Sequence, residues 1–386
     1  MTSRSRVLVL AISTPIIAFA FIGGYLGQAL AKDDTYQHLR VFEDVVSLVI
    51  NNYVEPVEVR EAMKGAMRGL ADNLDPESAY LTPDLVRTRE ANDPGGPAEV
   101  GLDLTRQYYL RVVSARDGSP AAKAGIRPGD FIRAIDNRPT RDMSAYEGSR
   151  LLRGAPGSKV SLLLIRGNAA DPHMVDLVRE RVAGPELTSR MADGTTGYVR
   201  VVQFTADSPG RIKQAIDALA KTGATRYVID LRGTSRGDLD EGLAAARLFV
   251  KSGTLGVRLG RADRKEPIAA QPADGAVSAP IAVLVDIGTS GPAELFAAAL
   301  AGNDRADLVG TNTLGRAARQ RLVKLPDQSG LWLTYLRYLT PSGDPIHEKG
   351  LMPDVEVEPV EIEFGSEPPL PDTGLQSALQ HLSARK

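Results

Sequence analysis

The chain has 386 residues, of which 43% are hydrophobic and 24% are charged, so it is long enough for two or three packed domains. Its formal net charge of −2 is too mild to indicate a nucleic-acid partner. The absence of cysteine excludes disulfides, thiolate metal sites and a cysteine nucleophile, and it leaves the redox compartment open.

The N-terminus has the pattern of an export signal. Arg4 and Arg6 precede an apolar run from Val7 to Leu26, and the small residues from Ala29 to Ala31 then form an A-x-A cleavage pattern. The pattern predicts a cleaved signal peptide in residues 1–31. Because the run is about as long as the roughly 20 residues that span a bilayer, an uncleaved membrane anchor formed by residues 7–26 is the alternative. In both cases we expect the rest of the chain in the periplasm or another extracytoplasmic space.

The first predicted structural unit is helical and covers residues 32–95. From Tyr36 to about Asn92 the apolar residues recur at helical spacing, and Pro76 suits the first turn of a new helix within this stretch. A cluster of prolines and glycines from Asp93 to Pro97 marks the end of the unit.

Residues 96–183 resemble a PDZ domain. The loop Gly101-Leu102-Asp103-Leu104 resembles the Gly-Leu-Gly-Phe-type loop of these domains, and the strand from Tyr108 to Ala115 follows it. The stretch Ser119 to Asp130 reads SPAAKAGIRPGD and leads into a strand, Phe131 to Ile135. A helix around Ser144 to Arg153 and a strand from Lys159 to Arg166 complete the set.

The resemblance to a PDZ domain implies peptide capture. Backbone N–H groups of the loop hold a terminal carboxylate in such a domain, while the ligand adds a strand to an exposed sheet edge. We therefore expect Gly101, Leu102, Asp103 and Leu104 to bind a peptide, with Leu151 or its neighbour Leu152 shaping the side-chain pocket. The alternative for each leucine is a place in the core of the domain.

From about Gly197 onward, strands and helices alternate, which predicts an α/β core over residues 184–386, including the C-terminal tail. The predicted strands are Gly197 to Phe204, Arg226 to Leu231 and Ile281 to Ile287, and the predicted helices are Pro209 to Leu219, Gly242 to Val250 and Pro292 to Ala301. The expected fold class is therefore multidomain α/β, with an N-terminal helical segment, a β-rich PDZ domain with two helices, and an α/β core.

Four segments of the core resemble the C-terminal processing (tail-specific) serine peptidases, peptidase family S41. These segments are Asp230-Leu231-Arg232, Gly288 to Leu295, Val309 to Gln320 and Arg337 to Gly343. Leu74 to Leu81 is also similar to the family's Leu-Asp-Pro-His-Ser-x-Tyr element. The resemblance covers nearly all of residues 36–385, and it implies a peptidase fold built to handle peptides.

The resemblance also implies where the reacting residues should be. In the family the nucleophilic serine stands three residues before the glutamate of Gly-Ser-Ala-Ser-Ala-Ser-Glu, and the lysine base follows 25 residues later in Phe-Gly-Lys-Gly-x-x-Gln. Counting back from Glu294 gives Gly291, and counting on gives Arg316. Gln320, which supports the lysine in active relatives, is retained, and we expect it to hydrogen-bond Arg316.

The residues at these positions predict the loss of the nucleophile, the base and an oxyanion donor. Gly291 has no side chain that could form an acyl-enzyme. Arg316 cannot act as a base, because the pKa of a guanidinium lies above about 12. The residue after the nucleophile should offer a backbone N–H to the oxyanion, and here Pro292 has none. Losing one such donor typically costs about 100- to 1,000-fold in turnover. The family's second glycine-rich loop is also altered in its second half, from Gly233 to Gly237.

Three hypotheses follow. The first is an exported pseudopeptidase, without catalytic residues, that binds protein C-termini or partner proteins as an adaptor or regulatory subunit. The second is an active serine endopeptidase that degrades or trims periplasmic proteins through a displaced nucleophile such as Ser290, with Lys324 or His347 as base. The third is a scaffold built by oligomerisation. We expect no cofactor, metal or nucleic acid, and either a homo-oligomer or a hetero-oligomer with an active paralogue.

Overall fold

The computed structural model describes residues 36–167, 172–181, 186–360, 362–364, 366 and 371–384. The predicted signal or anchor in residues 1–31 lies outside them. Within the described ranges, no helix is long and apolar enough to cross a membrane. The chain divides by its contacts into one unit up to Met67 and a second from Arg68 onward. The predicted domain boundaries stay predictions.

The first unit is helical. Helix α1 covers residues 36–52, and helix α2 (Val59–Asp72) begins in this unit. The apolar side chains of α1 recur at helical spacing and are largely exposed, including Leu39, Phe42 and Val49.

The second unit opens with a short strand and a helix that sequence reasoning merged into one helical stretch. Strand β1 (Ala79–Leu81) pairs antiparallel with a strand of the core, and helix α3 (Pro83–Glu90) follows it. The prediction that Pro76 opens a helix is wrong. Asp75 Oδ1 instead accepts the backbone N–H groups of Glu77 and Ser78 at 2.9 and 2.8 Å, which closes a turn.

The predicted PDZ domain is a sheet with two short helices. Its elements are β2 (Leu102–Gln107), β3 (Tyr109–Ala115), α4 (Pro120–Lys123), β4 (Phe131–Ile135), β5 (Arg138–Pro139), α5 (Ala145–Leu151), β6 (Lys159–Ile165) and β7 (His173–Val178). The strands follow the order β2-β3-β4-β6-β7, so β2 lies at an edge of the sheet. A core of buried apolar side chains, among them Leu110, Ile132 and Leu162, holds the domain together.

The core domain has two sheets. Its elements are β8 (Leu187–Met191), β9 (Thr196–Val201), α6 (Ser208–Lys221), β10 (Arg226–Asp230), α7 (Leu239–Ala246), β11 (Thr254–Leu259), a 3₁₀ turn (Arg261–Asp263), β12 (Lys265–Ala269), β13 (Ile281–Val285), α8 (Pro292–Ala301), β14 (Ala306–Gly310), β15 (Ala318–Lys324), β16 (Gly330–Leu339), β17 (Val355–Glu356) and α9 (Thr373–Ala384). One sheet has the order β17-β14-β13-β10-β9-β8. Within it, each pair of adjacent strands from β17 to β9 is parallel. The other joins β1, β16, β11 and β12, with β15 on β16.

The parallel sheet is covered on both faces, as its uninterrupted apolar strands predict. Helices α6, α7 and α8 pack against one face around Phe204, Phe249 and Phe296. Helix α9 covers the other face through Ala378 and Leu382. This packing fixes the carboxyl ends of β10 and β13, from which the two loops of the candidate site emerge.

Candidate functional site

The turn before helix α8, where the family resemblance places the nucleophile, has a backbone conformation that favours glycine. Gly291 caps helix α8 with φ 60° and ψ −118°, a conformation that residues with a side chain rarely adopt. Pro292 follows as the first helical residue, and both residues are buried. The turn therefore joins strand to helix sharply, but position 291 has no hydroxyl and position 292 has no backbone N–H.

A buried carboxylate that sequence reasoning used only as a counting landmark organises this turn. Glu294 accepts the backbone N–H groups of Gly291 (2.9 Å), Gly315 (2.5 Å) and Arg316 (2.8 Å), and the hydroxyl of Thr313 (2.6 Å). Burial raises the pKa of Glu294, and the four donors act in the opposite direction. Glu294 thus holds positions 291 and 316 in one place.

Arg316 is bound to a residue that sequence reasoning also missed. Its Nε and Nη2 donate to the two carboxylate oxygens of Glu77, each at 3.1 Å, and the side chains are 26% and 11% exposed. Glu77 also accepts the hydroxyl of Thr105 on β2 at 2.7 Å. Burial alone would lower the pKa of Arg316, but Glu77, Asp103 and Glu294 outweigh it and raise that pKa. The guanidinium is therefore a fixed cation, and it cannot accept a proton from a nucleophile.

The expectation that Gln320 hydrogen-bonds Arg316 is wrong. Gln320 Nε2 donates to the hydroxyl of Thr334 at 3.1 Å across the β15–β16 pair, because strand pairing turns the amide toward β16. Glu77 takes the place next to Arg316 instead.

The displaced nucleophile has no base beside it. The hydroxyl of Ser290 is buried and has no hydrogen-bond partner in the described part of the chain. Lys324 is exposed and pairs with Glu90 at 2.5 Å. His347 is 4% exposed, neither of its ring nitrogens is hydrogen-bonded to a described residue, and burial lowers its pKa. The geometry therefore brings none of the three residues into a nucleophile–base pair.

The altered glycine-rich loop ties the PDZ domain to the core. Arg236 donates from Nε to Asp103 Oδ1 at 3.1 Å and from Nη1 to Glu99 Oε1 at 2.8 Å. Ser235 donates to Asp103 and lies 2.6 Å from the hydroxyl of Ser114. Asp103, predicted to contact peptide, is therefore occupied by contacts to the core.

A cavity of about 360 Å³ lies at the predicted peptide-binding loop. It is lined by Gly101 to Leu104 on β2, by Ser149, Leu152 and Arg153 beside α5, and by Ser235 to Gly237 and Arg316 of the core. Leu102 and Leu104 line the cavity and are also 5% and 3% exposed members of the domain core. Of the two leucines considered on the helix, Leu152 lines the cavity, whereas Leu151 packs against the core of the domain.

Within the described ranges, no group of three or more His, Asp or Glu side chains could hold a metal ion.

Comparison with known proteins identifies both folded domains. The model of peptidase family S41 matches residues 195–357, and a PDZ domain model matches residues 111–166. A carboxyl-terminal-processing protease from Synechocystis is 31% identical over 360 residues, which covers 91% of this chain and 83% of that protein. Another, from Picosynechococcus, is 34% identical over 349 residues and covers 87% and 81% of the two chains.

A solved structure agrees with the sequence relatives. The photosystem II D1 C-terminal processing protease superposes with a TM-score of 0.70 at 28% identity, and the match covers 82% of this chain and 86% of that one. The predicted resemblance, the PDZ domain and the α/β peptidase core are thereby confirmed.

Proposed function

Because the chain belongs to peptidase family S41, the carboxyl-terminal-processing proteases, and yet has Gly291 and Arg316 at the two reacting positions, we propose that it is a pseudopeptidase that binds protein C-termini. The observation that carries the proposal is the bidentate Arg316–Glu77 pair, which replaces the base by a fixed cation. The absence of a side chain at Gly291 and of an N–H at Pro292 supports it independently.

The binding activity belongs to the PDZ groove. Strand β2 lies at the sheet edge, where a peptide strand can be added, and the cavity beside α5 gives its side chains a place. The protein would act as an adaptor or a regulatory subunit, alone as a homo-oligomer or together with an active paralogue. The export-signal pattern of residues 1–31 supports a location in the periplasm or at the outer face of the inner membrane.

The competing function is serine endopeptidase activity through Ser290, which the names of the relatives favour. The buried, unpartnered hydroxyl of Ser290 argues against it. The test is cleavage of an unfolded protein by the purified chain, with Ser290→Ala as the matched control. We expect no cleavage by either protein. Cleavage that disappears in the control would overturn the pseudopeptidase proposal.

Binding is tested separately with a fluorescent peptide that ends in an apolar residue. We expect a micromolar Kd for the free carboxylate and loss of binding when the same peptide is amidated. The loop itself is a poor place for the control, because a Cβ on Gly101 would lie 2.2 Å from the Cβ of Ser119. Equal affinity for both peptides, or no affinity for either, would contradict recognition of C-termini.

A further inference from the structure

A cavity of about 330 Å³ lies at the tip of the hairpin formed by β11 and β12. The hairpin supplies one wall of this hairpin cavity and strand β16 supplies the other. The lining residues are Arg258, Gly260, Arg261, Arg264, Glu266, Tyr335 and Leu336. None of them lines the cavity at the predicted peptide-binding loop, so the hairpin cavity is separate from the PDZ groove.

The turn of this hairpin places two arginines side by side. Arg261 and Arg264 flank Ala262 and Asp263, whose φ angles of 57° and 59° are left-handed. Two consecutive left-handed residues match the twist of an antiparallel hairpin, so the residues before and after them become neighbours. The N–H of Gly260 donates to the Arg264 carbonyl at 2.8 Å, which closes the turn. Both arginines therefore line the same cavity.

The three arginines of the hairpin cavity differ in their partners. Arg261 and Arg264 are exposed, and neither side chain forms an ion pair or a hydrogen bond with any residue that the structure describes. Arg258 is held instead, because its Nη2 donates to Asp240 Oδ1 at 3.1 Å and its Nη1 lies 3.7 Å from Glu266 Oε1. The cavity thus combines one fixed cation with two unpaired ones.

The charge of the hairpin cavity selects among anions. Three arginines face one glutamate, so the lining side chains have a net charge of +2. A phosphate monoester carries a charge of about −1.5 to −2 at pH 7 and has three strong acceptor oxygens. The planar fork of a guanidinium group matches such oxygens. A carboxylate has one charge and two oxygens, so it would leave part of the positive charge unpaired. The chemistry of the cavity therefore favours a doubly charged phosphate.

The hairpin cavity also has room for the group that carries the phosphate. Its volume is about ten times the roughly 30 Å³ that a water molecule occupies in the liquid. Tyr335 and Leu336 line the side on β16, and the Arg321 guanidinium lies 5.4 Å from the centre of the Tyr335 ring. The carbon skeleton of an ester can therefore bury apolar surface beside the charged residues.

We propose that the hairpin cavity binds a phosphate monoester group, with Arg261 and Arg264 as the binding residues and Arg258 as a third, fixed donor. A soluble molecule and a phospholipid head group can present the same doubly charged phosphate, so the site is defined by this group and the experiment distinguishes its source. The inference is independent of the proposed binding of C-termini, because no residue of the PDZ domain takes part.

Isothermal titration of the full chain with glycerol 3-phosphate measures this binding. The matched ligand is its methyl ester, a diester with a single negative charge. We expect the monoester to bind about tenfold more tightly or better, because the diester lacks the second charge and one terminal oxygen. Equal affinity for the two compounds, or no binding of glycerol 3-phosphate up to about 10 mM, would overturn the proposal.

Two variants locate the site. Arg261→Gln and Arg264→Gln each remove one unpaired cation, and each should weaken binding of glycerol 3-phosphate about tenfold or more, the effect of one charged hydrogen-bond donor. The matched control is Arg138→Gln, which removes the same charge at an exposed position outside the cavity and should keep full affinity. Because the three arginines are exposed, none of the substitutions should change the melting temperature. Full affinity in both cavity variants, or an equal loss in the control, would contradict the proposed site.

Vesicles distinguish the two sources of the phosphate. The comparison is between vesicles of phosphatidylcholine alone and vesicles that also contain phosphatidic acid, whose head group is a phosphate monoester. Additional cosedimentation with phosphatidic acid that is lost when Arg261 and Arg264 are both replaced by glutamine would assign the site to a phospholipid. Binding of glycerol 3-phosphate without this cosedimentation would assign it to a soluble phosphate monoester. Cosedimentation that persists in the double variant, together with no binding of glycerol 3-phosphate, would overturn the site.

Discussion

At the scale of single residues, position 291 combines a left-handed backbone with a glycine. Glu294 accepts the Gly291 N–H and the helix starts at Pro292, and these two features fix the φ of 60°. A Cβ at this position would meet its nearest neighbours, Leu239 and Ser235, at 3.6 Å. The site therefore has room for a side chain. The free-energy cost of adding one comes from the backbone conformation, which residues with a side chain rarely adopt.

Gly291→Ser should lower the free energy of unfolding by about 1–3 kcal/mol, the usual cost of a residue held in a disfavoured φ/ψ region. Urea denaturation of both proteins measures the difference. Gly210→Ser is the control, because a Cβ added to Gly210 in α6 would meet nothing within 4 Å and Gly210 has no positive φ. An unchanged stability for Gly291→Ser would mean that the turn relaxes when a side chain is added.

The second prediction at this scale concerns Glu77 and Arg316. Removing either partner leaves the other charge largely buried, so Glu77→Gln and Arg316→Met should each cost about 1–3 kcal/mol of stability. The double variant should cost less than the sum of the two single variants, because each substitution removes the same interaction. A double-mutant cycle from denaturation curves gives the coupling energy.

The comparison for this cycle is the exposed pair Lys324–Glu90, whose side chains are 58% and 44% exposed. An exposed pair contributes at most about 1 kcal/mol. A coupling between Glu77 and Arg316 that is no larger than the coupling of this surface pair would show that the bidentate contact does little to hold the site together.

At the scale of elements, local sequence signals predicted some boundaries well and missed others. Helix α8 runs from Pro292 to Ala301 as predicted, since proline suits its first turn and the apolar run ends at Gly302. Strand β1 was missed because it has three residues, and its pairing with β16 comes from a distant part of the chain. Strands of this kind carry too few residues for a periodic pattern.

The candidate site is divided in the same way between residues that local sequence locates and residues that it misses. The resemblance to the family, with its motif spacing counted from Glu294, was enough to locate Gly291 and Arg316, because one continuous stretch of the chain contains all three residues. The partner of Arg316 could not be found in this way, since Glu77 is 239 residues distant. The available signal was that Glu77 stands where the family's element has histidine, and two substitutions at one site suggest a contact.

The segment after β16 contacts the loop that carries Arg316, and it contains the buried histidine His347. The N–H of Glu348 donates to the Gly315 carbonyl at 2.9 Å, which places His347 beside the loop that carries Arg316. Burial and Arg337 lower the pKa of His347, whereas Asp75, Glu77 and Glu348 act in the opposite direction. The fold thus favours the neutral imidazole.

This preference predicts a dependence of stability on pH. Below about pH 6.5 a histidine in the unfolded chain takes up a proton that His347 in the folded chain resists, so stability falls as the pH falls. His347→Gln should flatten the curve of unfolding free energy between about pH 7 and pH 5, by at most about 1.4 kcal/mol per pH unit. Measurements above pH 8, where the imidazole is neutral in both states, give the constant offset of the substitution. Parallel curves for the two proteins would contradict the prediction.

At the scale of the whole molecule, the residues on which the proposed function rests come from three parts of the chain. Gly291 and Pro292 lie at the start of α8, Arg316 lies in the loop before β15, and Glu77 lies in the turn before β1. Glu294 and the Glu77–Arg316 pair join these parts into one packed unit. Restoring the two reacting residues alone therefore leaves the rest of the altered site in place.

We expect Gly291→Ser combined with Arg316→Lys to remain inactive against an unfolded protein. The restored lysine would face the Glu77 carboxylate, which favours its protonated form, and Pro292 would still offer no N–H to the oxyanion. Adding Glu77→His and Pro292→Ala removes both obstacles. The variant with all four substitutions should therefore cleave about 100-fold faster or more than the variant with two, which is the usual effect of one oxyanion donor. Cleavage rates, together with fluorophosphonate labelling at position 291, measure the difference. If the variant with two substitutions already cleaves as fast as the one with four, Glu77 and Pro292 do not block the reaction. If both variants are inactive, the obstacle lies elsewhere in the chain.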